Sequence, residues 1–402
     1  MKTKLLLSAT MALTVSAFAQ WQHISSAGNN KILSLAVSST NLYAGIPGGT
    51  VLISNNNGIS WTSQYNGFSS SDVKALAVSG ANMFAGTAGG GVFLSTDNGT
   101  SWTAENTGLT NLYINAFAVS GTNLFAGTGG IFLSSNNGTS WTADTLGLGS
   151  SILYGIDAFA MSGTNLFAGT GGKGVFLSTD NGTSWTAENS GLSGNGLFVN
   201  SLALSGTNLF AGTDGGGIFL SSNNGTSWTS VNTGMTNLYV KALAVSGSSI
   251  FAGTGGGGIF LSSNNGTSWT PVNSGLTDLT ILSLAVNGTT LFAGTYQNGA
   301  DKAALKDLVG INELSKTDCQ FIIFPNPNNG QITLKYNLSS QSTVLLDLYD
   351  LLGNKVKSVL EINQISGSYK QDVDLSELPN GIYLLKGTLN NQSITNRIIL
   401  LK

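Results

Sequence analysis

STDNGTSW, from Ser95 to Trp102, returns without a change from Ser178 to Trp185, and four close copies accompany it. SNNNGISW runs from Ser54 to Trp61, and SSNNGTSW ends at Trp141, Trp228 and Trp269. Each octet sets Asn-Gly between apolar strands, the strongest short-range hairpin signal, because both central residues need φ > 0. A seventh tryptophan, Trp21, has the downstream context of the others without an octet before it. Successive tryptophans lie 40, 41, 39, 44, 43 and 41 residues apart, so one unit of about 41 residues recurs. A period of that size belongs to propellers, solenoids or arrays.

The copy at 72–110 reads as four short antiparallel strands, 73–79, 83–87, 91–95 and 102–106, which describes a propeller blade. Large side chains (Leu76, Val78, Phe84) alternate with small ones (Ala75, Ala77, Ala85) rather than with polar ones. Sheets of that pattern are covered on both faces, as stacked blades are. A parallel β-helix has shorter coils and no fixed Asn-Gly hairpin. Second strands recur at Leu42, Met83, Leu124, Leu166, Leu209, Ile250 and Leu291. The seventh third strand is the degenerate 300–305, and fourth strands reach seven only if 21–25 closes the last blade. The fold expected is all-β: a seven-bladed β-propeller of four-stranded blades, then a small Ig-like β-sandwich.

Composition agrees. The 402 residues include 54 glycines, and charged residues make up 9 %, against the usual ~25 %. Apolar content of 41 % excludes disorder. Between Trp21 and Thr295 stand four lysines, no arginine and nine acids, which argues against nucleic acid as a partner. Lys2 and Lys4, an apolar run over 5–15 and Ala17-Phe18-Ala19 predict a secretory signal over 1–19. That run is too short to span a bilayer, and no later segment is a transmembrane candidate. A lone Cys319 precludes an internal disulfide. The divisions expected are 1–19 signal peptide, 20–308 propeller, 309–320 linker and 321–402 terminal domain.

The octet resembles the Asp-box (BNR, sortilin-like repeat), Ser-x-Asp-x-Gly-x-x-Trp, of sialidases, sortilin-type receptors, certain xyloglucan hydrolases and a photosystem assembly factor. Asp97 and Asp180 keep the acid, whereas Asn56, Asn136, Asn223 and Asn264 replace it. The resemblance implies a folding device remote from the ligand side. Ser and Asp/Asn side chains would bond turn amides, and Trp61, Trp102, Trp141, Trp185, Trp228 and Trp269 would fill the space between blades. Amides in four of six copies leave too little charge for calcium, so no metal is expected, and nothing identifies a cofactor. Sialidases hold their substrate's carboxylate with an arginine triad. The only arginine here, Arg397, lies beyond the repeats, so sialidase chemistry is excluded. His23, the single histidine, reads as a solvent-facing residue of the closing strand. Asp144-Thr145-Leu146 resembles a short bacterial O-glycosylation motif.

The copies differ on one face. Aligned on the innermost strands, one position reads Leu33, Lys74, Asn115, Asp157, Asn200, Lys241 and Leu282. Tyr113, Phe198 and Tyr239 stand two residues earlier in three copies, and Asp214 interrupts a glycine loop. Lys74, Asn115, Asp157, Asn200 and Lys241, with these aromatics and Asp214, are the candidate ligand site at the channel mouth. The reading is non-catalytic binding of an extracellular glycan or protein. The alternatives are a polysaccharide hydrolase using paired carboxylates near Asp157 and Asp214, and a structural surface-layer component.

From Phe321 the sequence changes to alternating strands at 331–338, 343–349, 355–360, 369–375, 381–389 and 393–401, a small β-sandwich. FPNPNNG (324–330, with Pro325, Asn326, Pro327 and Gly330), LDLYDLLGNKV (Gly353), DLSELPNGIYLLK (Gly381, Tyr383) and terminal NRIILLK resemble the type A C-terminal sorting domain of the type IX secretion system. Phe324 stands where Tyr is more usual. The resemblance implies recognition by that translocon in a Bacteroidetes-type bacterium, cleavage near the linker, and attachment to lipopolysaccharide or release.

Overall fold

The computed structural model describes residues 20–309 and 321–402, apart from 39–40, 66, 69–70, 149–154, 339, 351–352 and 390–391. The expected signal segment, and the linker from 310, lie outside the described residues. The chain divides into two compact units, 1–310 and 311–402.

Among its described residues, the first unit has seven four-stranded antiparallel sheets. Their innermost strands, in chain order, are Ser34–Val37, Val73–Ser79, Ala116–Ser120, Ile156–Ser162, Val199–Ser205, Val240–Ser246 and Ile281–Asn287. We number the sheets one to seven by these strands. Each innermost strand touches the next, and the seventh touches the first, so the sheets form a ring. The seventh sheet takes its outer strand, Gln22–Ile24, from the start of the described chain, with Gln22 opposite Lys302 and Ile24 opposite Ala300. The ring is therefore closed by hydrogen bonds between its two ends.

That closure has a buried polar clasp. Asp301 is fully buried, and its carboxylate lies 3.1 Å from His23 Nδ1 and accepts from Thr277 N (3.1 Å) and Oγ1 (2.9 Å). The His23 side chain is 29 % exposed and turned onto this carboxylate. His23 is an exposed residue of the closing strand, as expected, and its ring also reaches this carboxylate: a fully buried acid needs donors, and His23 lies opposite it in the ladder.

The outer strands are shorter than expected, Thr103–Ala104 rather than 102–106. A side chain continues the ladder. Asn106 Oδ1 accepts from Val92 N at 2.8 Å and its Nδ2 donates to Gly90 O at 3.0 Å. Asn189, Asn232 and Asn273 do the same in later sheets.

Packing between sheets follows from the repeat. The second strands are buried almost throughout, each around one large ring: Tyr43 in sheet one, and Phe84, Phe125, Phe167, Phe210, Phe251 and Phe292 after it. On six of these rings, all but Phe251, sits the octet turn of the next sheet. A Cβ at Gly138, whose φ is +82°, would come within 2.4 Å of Phe84 Cε1, so only glycine fits. At four junctions the octet-position tryptophan also donates its indole N–H to the preceding outer strand. Trp141 bonds Glu105 O (2.9 Å), Trp228 Glu188 O (2.8 Å), Trp269 Val231 O (2.7 Å) and Trp21 Val272 O (2.6 Å).

Within each octet the hydrogen bonds are local. Ser95 Oγ accepts from Gly99 N (2.8 Å) and donates to Asp97 Oδ1 (2.7 Å), which also accepts from Ser101 N (2.9 Å). Where Asn replaces Asp, as at Asn136, its Oδ1 makes the same two contacts, so the amide serves the turn as well as the acid. The residue after it is left-handed in all six octets, with Asn98 at φ 59°.

The second unit has a three-stranded sheet (Ile322–Phe324, Gln331–Leu338, Gly367–Asp374) and a four-stranded one (Ser342–Tyr349, Lys355–Gln364, Gly381–Leu389, Gln392–Leu400). Leu334, Val344, Leu346, Leu385 and Ile398 belong to one core shared by both sheets. The FPNPNNG segment is stitched to the last strand. Asn326 Nδ2 donates to Arg397 O (2.7 Å), its Oδ1 accepts from Ile399 N (2.8 Å), and Asn328 N donates to Ile399 O (2.9 Å). Pro325 and Pro327 are exposed on either side of Asn326. Gly330 turns the chain at φ 110°, and Gly353 does so at φ 88°. Tyr383, following Gly381 into its strand, is buried and donates to Pro379 O at 2.8 Å.

Candidate functional site

Five of the seven innermost strands begin with a β-bulge, and the bulged residues are Lys74, Asp157, Asn200, Lys241 and Leu282. A bulge leaves one residue unpaired and re-aims its side chain. Leu33 and Asn115 precede the innermost strands of sheets one and three at the same place. The consequence is convergence. All seven side chains line one cavity of about 240 Å³ at the entrance to the ring, with Lys31 as the eighth.

Asp157 is the only carboxylate among the residues lining this cavity. It accepts from Asn115 Nδ2 at 3.0 Å. Burial pushes its carboxyl up to about 6, against the pull of Lys74, the Asn115 hydrogen bond and Lys241. Asn200 Nδ2 donates to Val240 O of the next sheet at 2.9 Å. Lys241 Nζ lies 2.6 Å from Asp214 Oδ1, and both side chains are partly exposed. Lys31 Nζ sits 4.6 Å from the centre of the Tyr296 ring, in cation–π range.

The remaining candidates stand outside the cavity. Tyr113, Phe198 and Tyr239 are exposed by 63 %, 38 % and 53 %. Each forms a backbone bridge to a loop residue of the preceding sheet: Ala88, Gly171 and Asp214 respectively. They make an aromatic rim, and Asp214 joins that rim to Lys241. Asp214 does not line the cavity with Asp157. The sequence reading missed Lys31, although it occupies in sheet one the column that holds Tyr113, Phe198 and Tyr239 elsewhere.

Chemically, the mouth offers three ammonium groups, two amides, one carboxylate of raised affinity for protons, two leucines and an aromatic rim. That set can hydrogen-bond and stack on a polar ligand. Among the described residues, no three His, Cys, Asp or Glu side chains gather as a metal site. No helix among them is long and apolar enough to cross a membrane.

Residues 322–401 match the family model of a secretion system C-terminal sorting domain, and residues 156–279 match that of the DUF6242 beta propeller domain. No curated protein matches the chain. Among solved structures, YCF48 bound to D1 peptide is similar over 72 % of this chain and 98 % of its own, at 14 % identity and a TM-score of 0.58. PorZ of Porphyromonas gingivalis, described as an essential surface component of the type-IX secretion system, matches over 93 % of this chain and 60 % of its own (19 % identity, TM-score 0.57). The GH74 enzyme of Niastella koreensis matches over 71 % and 44 % (17 % identity, TM-score 0.52). Identities this low carry the fold alone. The ring of sheets is a β-propeller. The tail is a type IX sorting domain, which implies export by that machinery to the cell surface or the medium.

Proposed function

We propose that this is a seven-bladed Asp-box propeller whose mouth binds an extracellular glycan or protein without catalysis. The observation that carries the reading is the convergence of Lys74, Asn115, Asp157, Asn200 and Lys241 on one cavity, each at the same place in its sheet. Repetition fixes the position, and the differing side chains supply the specificity. In this reading the segment 1–19 is the signal that starts export, and 321–402 is an Ig-like sandwich read by the type IX translocon. The sandwich is removed near the linker, and the propeller is released or attached to lipopolysaccharide.

The experiment is a glycan and surface-protein array probed with the full propeller, followed by the Asp157→Asn/Lys241→Ala double variant. Loss of the captured ligand in the double variant supports the reading; undiminished capture overturns it.

One observation favours an enzyme instead. Asp157 holds its proton to about 6, a value suited to a general acid. Glycoside hydrolysis needs a second carboxylate across the bond, and the nearest candidate of the sequence reading, Asp214, is paired with Lys241. Turnover of any polysaccharide that Asp157→Asn abolishes would replace the binding reading with this one.

A further inference from the structure

The few lysines of the propeller gather at its mouth. Of the four between Trp21 and Thr295, three line the cavity: Lys31, Lys74 and Lys241. They also keep to one side of it. Sheets six, seven, one and two are consecutive in the ring, and they bring Lys241, Leu282, Leu33 with Lys31, and Lys74 to the lining. Sheets three, four and five complete the circle with Asn115, Asp157 and Asn200. The cavity therefore has a cationic half, with leucines between the ammonium groups, facing a half of amides around one carboxylate. Lys31 Nζ stacks on Tyr296, which follows the second strand of sheet seven, so it stays within the cationic half.

The other carboxylates of this face leave most of that charge in place. Asp214 pairs with Lys241. Asp72 accepts from Gly48 N at 3.3 Å, and Asp278 accepts from Thr280 N and Gln297 N, both at 2.8 Å. Among the described residues, no carboxylate lies within ion-pair distance of Lys31 or Lys74. Two ammonium groups in one concave site thus lack a counter-ion, and a cleft lined by one sign of charge draws in the other. Across the cavity the need is reversed. Asp157 accepts one hydrogen bond, from Asn115. Asn200 uses its Nδ2 on Val240 O and leaves its Oδ1 as an acceptor.

A molecule that meets both halves carries an anionic group and hydroxyl donors on one small frame. The volume of about 240 Å³ lies below the ~300–1,000 Å³ of most small-ligand sites, which suits a single sugar ring. Tyr113, Phe198 and Tyr239 on the rim offer faces for the neighbouring units of a chain. Lysine is a point charge without the fork of arginine, so it serves a carboxylate or a sulfate alike. We infer that the mouth takes an acidic saccharide: the carboxylate or sulfate of one unit lies among Lys31, Lys74 and Lys241, and its hydroxyls donate to Asp157 and Asn200. The assignment rests on the mouth being a binding site, as proposed above.

The test is calorimetric titration of the full chain with tetragalacturonate, its methyl ester, a sulfated carrageenan tetrasaccharide and neutral cellotetraose. At least one acidic probe is expected to bind, and the one that does identifies the anion. The methyl ester and cellotetraose should bind at least about tenfold more weakly, the loss of one charge-assisted contact. Raising the salt to ~0.5 M should weaken the acidic probe. Lys31→Gln/Lys74→Gln should weaken it about tenfold or more with the urea midpoint held, since neither lysine forms an ion pair. Lys306→Gln, in the short helix Leu305–Leu308 away from the cavity, should leave it unchanged.

Neutral probes bound as tightly, and lost in Asp157→Asn/Lys241→Ala, would overturn the acidic class while the mouth remained a binding site. Acidic binding indifferent to Lys31→Gln/Lys74→Gln would lie elsewhere on the molecule and overturn it too. So would silence of every probe at ~10 mM, a concentration that reveals millimolar binding. If the glycan and surface-protein array then also yields nothing that the double variant loses, the binding reading falls with it.

Discussion

The two ends of the propeller's strands use the same repeat in opposite ways. At the octet end, six turns make the same three hydrogen bonds with interchangeable Asp and Asn, and the side chains point back into their own turn. At the mouth, the backbone repeats a bulge while the side chain on it changes from lysine to amide to acid to leucine. One end fixes chemistry to obtain structure, and the other fixes structure to vary chemistry. Substitutions at the octet end should therefore cost stability and spare binding, with the reverse at the mouth.

The largest effect is expected from Trp228→Ala. The ring is 4 % exposed and its N–H joins sheet five to sheet four through Glu188 O. Loss of that volume and bond should cost about 3–5 kcal/mol, read as a lowered urea midpoint. A change below ~1 kcal/mol would mean that the sheets hold together without their tryptophans.

Ser178→Ala comes next. Ser178 is 1 % exposed, and its hydroxyl accepts from Gly182 N at 2.8 Å. Alanine leaves that buried N–H unpaired, at a cost of about 1–3 kcal/mol in the same urea titration. Ligand capture at the mouth should be untouched. If capture falls with stability intact, the division between the two ends fails.

Much of this contrast was legible in the sequence, for a physical reason. A blade is a local object, so its turns, strand alternation and tryptophan spacing all lie within about 41 residues. The mouth column stood out because near-constant residues flank a variable one at the point where the bulge falls. The tail's longer strands were legible from alternation, and Ile322–Phe324 escaped because three residues carry no pattern. Contacts between distant copies escaped as well. His23 meets Asp301 across 278 residues, and nothing local to either predicts it.

A smaller effect tests the charge at the mouth. Burial raises Asp157 to about 6, above the ~3.9 of an unfolded aspartate. The folded state then holds the proton more tightly, so this group favours folding below about pH 4 and ceases to do so as pH rises through about 6. Asp180 has the opposite sign: hydrogen bonds from Ser184 and Ser178 hold it at about 2, so its contribution is present above ~4 and lost as pH falls toward 2. Asp157→Asn should gain on the parent between pH 4 and pH 8, by up to ~1 kcal/mol given its partial exposure. Asp144, also raised to about 6 by burial, should keep a residual slope of the same sign in the variant. Parallel urea curves across that range would show that the mouth does not penalise the charge.

The smallest change in stability is expected where the effect on binding is expected to be large. Lys241 pairs with Asp214 at 2.6 Å, but the two side chains are 34 % and 42 % exposed, so water screens the pair. Lys241→Ala should shift the urea midpoint by no more than ~0.5 kcal/mol. It also removes an ammonium from the cavity and frees Asp214 on the rim, so the ligand captured at the mouth should bind at least about tenfold more weakly, the loss of one charge-assisted hydrogen bond. A stability loss above ~2 kcal/mol with capture unchanged would make Lys241 a brace between sheets. The bulge column would then be another packing device, and the contrast between the two ends would collapse.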